Sequence, residues 1–354
     1  MPIAVTVVRH DPRTHPAPEL AEFAEVERRA LHALYGHDDL ANPVSVLHAA
    51  FPEQTYHRKL ALLARDGDEV LGGMWVRMPQ KDNTTVGDAS FAVDPLHLAG
   101  EVVPALWERA RPELEAAGRT TVQVWTSHAI DPTAQQLTPR TGVGSLPVDP
   151  QTAVLQDLGF ALEQVERHSE LHVTEALDLA AAELPAAREA AGAAYRTLGW
   201  VGPTPREHLD GMARLMGRMS TDVPSGDLQI EAEAWDAARV AESDRIAATV
   251  GRTRVTTVAQ HVTSGELVAY TIVDLPRDKP AVGYQEDTLV HGDHRGHRLG
   301  MLVKAENLQR LAEHAPAVQR LHTWNAGENA HMLAINVALG FRQAGVEGAW
   351  QKRV

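Results

Sequence analysis

At 354 residues the chain is longer than one ordinary domain and comfortable for two, each able to bury a sizeable core. It has no cysteine, which excludes disulfides, thiolate nucleophiles and Cys-ligated metals, and its formal charge of −14 is spread rather than run together, which opposes nucleic-acid binding and favours a small or cationic partner. No stretch is long and apolar enough for a membrane span, and Met1 to His10 are too soon charged for a secretory signal, so no membrane partner and a cytoplasmic location are expected.

Taken in chain order, Ala4–Arg9 reads as a strand and residues 18–35 as an amphipathic helix with Leu20, Phe23, Val26 and Leu31 on its inner face. Strands at 59–65 and 69–77 flank Asp66-Gly67-Asp68, a hairpin signal in which glycine supplies the positive φ. A strand at 87–93, a helix at 100–117 and a strand at 120–126 follow, and Leu158-Gly159-Phe160 closes the half. Residues 138–150 read as a mobile, Pro/Gly-rich insertion. Residues 175–220 are alanine-rich and read as largely helical, with 180–194 as a packing helix, and 221–226 reads as a loop near a cleft. The earlier order then repeats: strands at 252–260 and 267–274 around Thr263-Ser264-Gly265-Glu266, a strand at 283–290, a helix from Met301, a strand at Arg320, and Leu339-Gly340-Phe341. Two copies of one unit explain the length.

Only the second copy carries a turn suited to an anion. Thr288 to Gly300 form an apolar strand running into a turn, with Gly296 and Gly300 where backbone must approach something closely. In the helix that follows, Leu302, Val303, Leu308 and Leu311 share a face, and its free N–H groups and dipole suit a phosphate or pyrophosphate. Neither the three-glycine dinucleotide fingerprint nor the Gly-Lys-Ser/Thr phosphate loop fits. The equivalent turn of the first copy, residues 93–100, has one glycine, no arginine and an aspartate, Asp94, whose charge repels phosphate. Residues 1 to about 170 therefore read as a degenerate copy that lacks the anion-binding turn. His291, His294 and His297 lack the i, i+4 register of a zinc helix, so no metal is expected; they read as solvated turn residues with bound phosphates as possible partners.

Further on, Leu321-His322-Thr323-Trp324-Asn325 reads as a strand and Ala326-Gly327-Glu328-Asn329 opens a second helix that ends at Leu339-Gly340-Phe341. The succession of strand, Arg-Gly-x-x-Leu-Gly turn, helix, strand, Asn-x-x-x-Asn, helix and Leu-Gly-Phe resembles the GNAT superfamily of N-acetyltransferases, well over residues 230–354 and in outline elsewhere. The pairing of two copies resembles its tandem, actinobacterial members. The resemblance implies an α/β (α+β) fold of two tandem GNAT-type domains, 1–170 degenerate and 171–354 acetyl-CoA-binding, each a mixed, mostly antiparallel sheet with flanking helices. It implies an acetyl-CoA-dependent N-acetyltransferase acting on a small-molecule amine by direct attack in a ternary complex. By the same resemblance the backbone of Arg295, Gly296, His297, Arg298, Leu299 and Gly300 holds the pyrophosphate, with Arg295 and Arg298 adding charge. Leu289 and Val290 offer main-chain groups to the pantetheine, and Asn325 contacts the cofactor; Asn329 either touches the pantetheine amides or caps the helix. Arg298 stands where the family usually has a third glycine.

Acetyl transfer to an amine needs an oriented donor, stabilisation of an oxyanion and removal of a proton. The resemblance gives the oxyanion role to the main-chain N–H of Val290. For the proton, Glu286 and Asp287 lie on the same strand, and with alternating side chains only one faces the cleft. A carboxylate beside an apolar channel has a raised pKa and suits the task. His322 is the next candidate. Asn336 stands where many members carry the tyrosine that protonates the leaving thiolate, and it offers a hydrogen bond instead. Asp222, Asp227, Glu231 and Glu233 are candidates to receive a cationic acceptor. The competing reading, which Asn336 and the degenerate copy favour, is a non-catalytic CoA-binding sensor or ligand-sequestering protein. The acceptor's identity and the oligomeric state stay open.

Overall fold

The computed structural model describes residues 3–11, 13 and 16–354. The first length of chain runs β1 (Ala4–Arg9), α1 (Glu19–Tyr35), α2 (Val44–Ala50), β2 (His57–Asp66), β3 (Glu69–Pro79), β4 (Val86–Val93), α3 (Ala99–Ala116), β5 (Thr121–His128), the short strands β6 (Gln136–Leu137) and β7 (Leu146–Pro147), α4 (Pro150–Asp157) and β8 (Ala161–His172). The second runs α5 (Val173–Ala191), β9 (Tyr195–Val201), α6 (Leu209–Gly217), α7 (Met219–Asp222), α8 (Ala237–Thr249), β10 (Arg252–His261), β11 (Leu267–Pro276), β12 (Val282–Val290), α9 (Leu299–His314), β13 (Arg320–Ala326), α10 (Ala330–Ala338) and β14 (Arg342–Arg353). The hairpin signals act as read: Gly67 and Gly265 both take the left-handed φ, at 58° and 74°.

A single sheet of twelve strands joins the two copies, in the order β1-β2-β3-β4-β5-β14-β8-β13-β12-β11-β10-β9. β8 leaves the first copy to pair with β13, while β14, the last strand of the chain, pairs with β5 of the first copy. The two exchanged strands then pair with each other, antiparallel. A boundary near residue 170 therefore divides the chain in sequence but not in space. The register is symmetric: Ser127 faces Glu347, Ala326 faces Glu166, and Glu166 faces Glu347, so a pseudo-twofold passes between these glutamates.

Helices cover both faces. On one, α3 packs Val102, Leu106, Ala110 and Leu114 against Leu60, Leu62 and Val76, and the alanine run of α5 (Ala176, Ala180, Ala187) lets it approach α9 closely. On the other, Phe23 of α1 and Met212, Leu215 and Val240 of α6 and α8 bury the opposite side chains of the same strands.

Two expectations are corrected. Residues 195–201 are not helical but form β9, an edge strand on β10; the alanine-rich average masked a short run of aromatic and β-branched residues. Residues 138–150 are held down rather than loose: Leu146 is fully buried, and Asp149 forms a capping box with Thr152 at the start of α4.

The loop between α1 and α2 clasps the second copy. Lys279 Nζ donates to the carbonyls of Asp38 and Asp39 at 2.5 and 2.8 Å, and the Tyr284 hydroxyl to that of Asp39 at 2.6 Å. The Asp39 carboxylate takes a fork of bonds from Arg320 at 2.7 and 3.0 Å and lies 3.2 Å from His322 Nε2. Burial alone would raise its pKa, but Arg320 and His322 outweigh it and hold Asp39 at about 2. A folded-state value below the unfolded one stabilises above the unfolded pKa and is lost as pH falls through the folded one, here a window from roughly pH 4 to roughly pH 2. Asp39→Asn should cost about 2 kcal/mol at pH 7 in urea unfolding, and the gap to wild type should shrink near pH 2.5; an equal gap at both would show that the charge is not what holds the clasp.

Candidate functional site

β12 and β13 run parallel and pair only over Val282–Tyr284 before they splay, which opens a gap towards the turn after Val290. The same splay follows Ser90 in the first copy, where β4 and β5 part. What differs is the strand beside the gap. The register of β11 against β12 slips between Thr271/Thr288 and Val273/Gln285, so Glu286 and Asp287 together face one residue, a β-bulge. β4 pairs with β3 from Gly72/Val93 to Arg77/Asp88 without a slip.

The bulge sets both carboxylates on one face of the sheet, yet only one of them reaches the cleft, as expected: Glu286 lines it and Asp287 does not. Gln285 and Thr288 both turn to Thr271 on the α9 face, at 3.0 and 2.8 Å. Between them Glu286 and Asp287 both face the α6–α8 side, because an extra residue interrupts the alternation on which the expectation rested. Asp287 accepts from the Tyr270 hydroxyl at 3.1 Å, and burial pushes its pKa up. Glu286 lies 3.5 Å from Arg252 Nη1, and its side chain keeps 42% of its surface open to the cleft. The surrounding protein walls nevertheless remove bulk water, and with Asp274 nearby its pKa rises to about 7.

The ladder also decides which main-chain groups are free. The His291 N–H donates to Val268 at 2.8 Å, so in the alternating antiparallel pattern Leu289 bonds Tyr270 while Thr288 and Val290 point their N–H groups away from β11 into the gap. Of the two expected contributors, then, Val290 offers its amide; Leu289 is committed to the ladder and buries its side chain against α6.

The turn from Arg295 to Gly300 stands at the mouth of the gap. Gly296 has φ +87° with open space where a Cβ would lie, and Arg298 takes a left-handed φ of 53° as the residue preceding α9. That helix has no side-chain cap, so the N–H groups of Leu299, Gly300 and Met301 point into the turn with no side-chain acceptor among the described residues. Leu299 anchors the turn in the core. Arg295 hangs beside Asp222 at 4.0 Å, 60% exposed. Arg298 departs from expectation: its guanidinium pairs with Glu183 of α5 at 2.5 Å and so is spent on fixing the turn. His297 is exposed and packs on the Tyr195 ring. A diphosphate fits this donor set: backbone amides, a helix N-terminus and the exposed Arg295, whose Nε donates to the Val290 carbonyl at 3.4 Å and which lies only loosely beside Asp222.

Asn329 caps α10 by accepting from the Met332 N–H at 3.3 Å. Asn336 is buried; its Nδ2 donates to Asn325 Oδ1 at 2.6 Å, and its own Oδ1 has no partner among the described residues. Asn325 is thus held by Asn336. The four carboxylates of 222–233 disperse: Asp222 pairs with Arg218, Glu231 accepts from Asn83, Asp227 lies 4.0 Å from Arg140, and Glu233 alone lines the cleft, beside Trp235 and Arg239.

Two contiguous cavities of about 640 and 600 Å³ fill the cleft between the copies. Both are walled by Phe23, Glu27, Ser90, Trp125 and Arg252; the second also reaches Tyr284, Glu286, Trp324 and Glu347. Glu347 and, across the pseudo-twofold, Glu166 both have pKa values raised to about 7, by burial and by neighbouring carboxylates. Sequence reasoning missed this floor because it assigned neither exchanged strand. One signal was present: each glutamate stands six residues past the phenylalanine of a Leu-Gly-Phe, from 160 to 166 and from 341 to 347.

No protein-family model matches the chain, and no curated protein does. Its fold is that of a tandem GNAT protein. The tandem GNAT protein from the clavulanic acid biosynthesis pathway superposes with a TM-score of 0.76 over 99% of this chain and 98% of its own, at 22% identity. A GCN5-related N-acetyltransferase from Sphaerobacter thermophilus superposes with a TM-score of 0.58 over 99% and 95%, at 12% identity. Among the described residues no helix is long and apolar enough to cross a membrane.

Gly296→Ala tests the turn. A side chain at φ +87° should cost about 1 kcal/mol of stability and should weaken binding of coenzyme A, read by denaturation and calorimetry. Unchanged affinity would remove the turn from the ligand's path.

Proposed function

We propose that the protein is an acetyl-CoA-dependent N-acetyltransferase acting on a small amine held in the cleft between its two copies. The observation that carries this is the bulge at Glu286–Asp287, which exists only in the copy that also has the glycine turn. It places two carboxylates of raised pKa on one face of the strand, of which Glu286 lines the cleft, on the strand that ends at the free amide of Val290. In the first copy the ladder is unbroken, and Asp94 occupies the turn, paired with Arg29 at 2.8 Å.

Acetyl-CoA supplies the activated acyl group. The amides of the 296–301 turn and Arg295 would hold its diphosphate, and the N–H groups of Thr288 and Val290 would line the path of its pantetheine arm. Glu286 acts as general base: a carboxyl near pKa 7 is half ionised at neutral pH and still basic enough to take a proton from an ammonium group as the amine attacks. Arg252 steadies the ionised form. Glu347, which lines the cleft, draws the ammonium in when ionised, and Phe23, Trp125 and Trp324 receive an apolar body. Asn336 has no proton to give at useful pKa, so it contributes a hydrogen bond only. Attack is direct, without a covalent acyl-enzyme, in keeping with the absence of cysteine.

Release of free thiol from acetyl-CoA across a panel of amines is the test. Turnover should rise with pH through about 7 as Glu286 loses its proton. Glu286→Gln should lower kcat by about 100-fold or more while leaving CoA affinity intact. No thiol release with any amine, or full activity in Glu286→Gln, would defeat the proposal.

A further inference from the structure

Beside the glycine turn, on the α9 face, lies a group of imidazoles that the proposed chemistry leaves unused. Tyr195, the first residue of β9, stands at its centre. Its ring centroid is 5.5 Å from that of His261, 5.7 Å from His294 and 5.2 Å from His297, and His291 lies 5.8 Å from His294.

The protein holds three of these rings by the same nitrogen. His294 Nδ1 is 2.9 Å from the Tyr195 hydroxyl, His261 Nδ1 is 3.0 Å from Ser264 Oγ, and His291 Nδ1 accepts from the Asp293 N–H at 3.3 Å. An Nδ1 that accepts fixes the tautomer with the proton on Nε2, so His291 presents an outward N–H donor. His294 does the same when the Tyr195 hydroxyl donates to it. Each Nε2, and both nitrogens of His297, have no partner among the described residues. The group does not form a metal site: no cluster of three or more His, Asp or Glu side chains with that geometry occurs among the described residues.

We propose that these imidazoles bind the 3′-phosphate of coenzyme A, and so make the protein discriminate the full cofactor from its 3′-dephospho form. This rests on the acetyl-CoA reading above. The argument is one of reach and of free donors. The 3′-phosphate is one ribose away from the diphosphate, so with the diphosphate on the 296–301 amides it must land on the immediate surround of the turn. Towards α5 that surround is Arg298 already neutralised by Glu183. Towards α6 and α7 it is Arg218, paired with Asp222, and Arg295, which the diphosphate itself takes; towards α10 it is the apolar Ile335 against Gly300. Towards β9 and β10 it is the imidazoles, whose Nε2 donors are uncommitted; of the carboxylates near them, Asp293 is 89% exposed and turned to solvent, and Glu266 makes no ion pair with them. Hydrogen bonds from imidazole N–H groups to a phosphate dianion are charge-assisted and strong for their number.

Calorimetry with coenzyme A and with 3′-dephospho-coenzyme A, on the wild type and on His294→Ala/His297→Ala, which removes the side-chain donors, tests this. The wild type should bind coenzyme A about tenfold more tightly than the dephospho form, roughly the worth of one such bond. The double variant should bind both equally, at the wild-type affinity for the dephospho form; that retained affinity also shows that the variant is folded. Equal binding of the two ligands by wild type, or a preference that survives the double substitution, would overturn the subsite and leave the acetyl-CoA reading standing. Failure of the wild type to bind either ligand would overturn that reading, and the subsite with it.

Discussion

The pairing of β8 with β14 is the contact on which the rest of the molecule depends. Each is the last strand of its own copy, and each is spent on completing the sheet of the other. Main-chain hydrogen bonds across this pair join two sheets into one and fix the copies in a single relative position, so the cleft between them has rigid walls. Exchange of this kind makes neither copy complete without the other. The clasp at Asp39, Lys279 and Arg320 then closes one end of the same cleft with charge and carbonyl groups.

A shared sheet with a pseudo-twofold would give two equivalent sites, and the molecule departs from that symmetry at a few residues. One additional residue in β12 turns two carboxylates to the same face and widens the strand edge beside the gap. The counterpart strand β4 keeps its ladder unbroken. At the turns the difference is electrostatic as well: a glycine with open space at Gly296 against a buried aspartate, Asp94, locked to Arg29. A small irregularity in hydrogen bonding, rather than a different fold, distinguishes the two copies.

The symmetry axis itself carries an unfavourable pairing. Glu166 and Glu347 stand directly across from each other, where like charges destabilise a sheet, and the protein meets this by keeping their pKa values near neutrality. Of the two, Glu347 lines the cleft, together with Trp324 and Trp125, which are related by the same axis. The overall negative charge of the chain agrees in sign with that carboxylate.

What the sequence determined by itself was the repeated unit, the order of most strands and helices, and the glycine turn, because these rest on local periodicity and on conformations only glycine takes readily. Leu-Gly-Phe at both ends and Gly67 and Gly265 in the two hairpins were legible for that reason. The exchange of β8 and β14, the bulge at Glu286–Asp287, the spending of Arg298 on Glu183 and the meeting of Glu166 with Glu347 were decided by tertiary structure. Each depends on which strand lies beside which, and in what register, and residue spacing along one segment carries no record of the partner across from it.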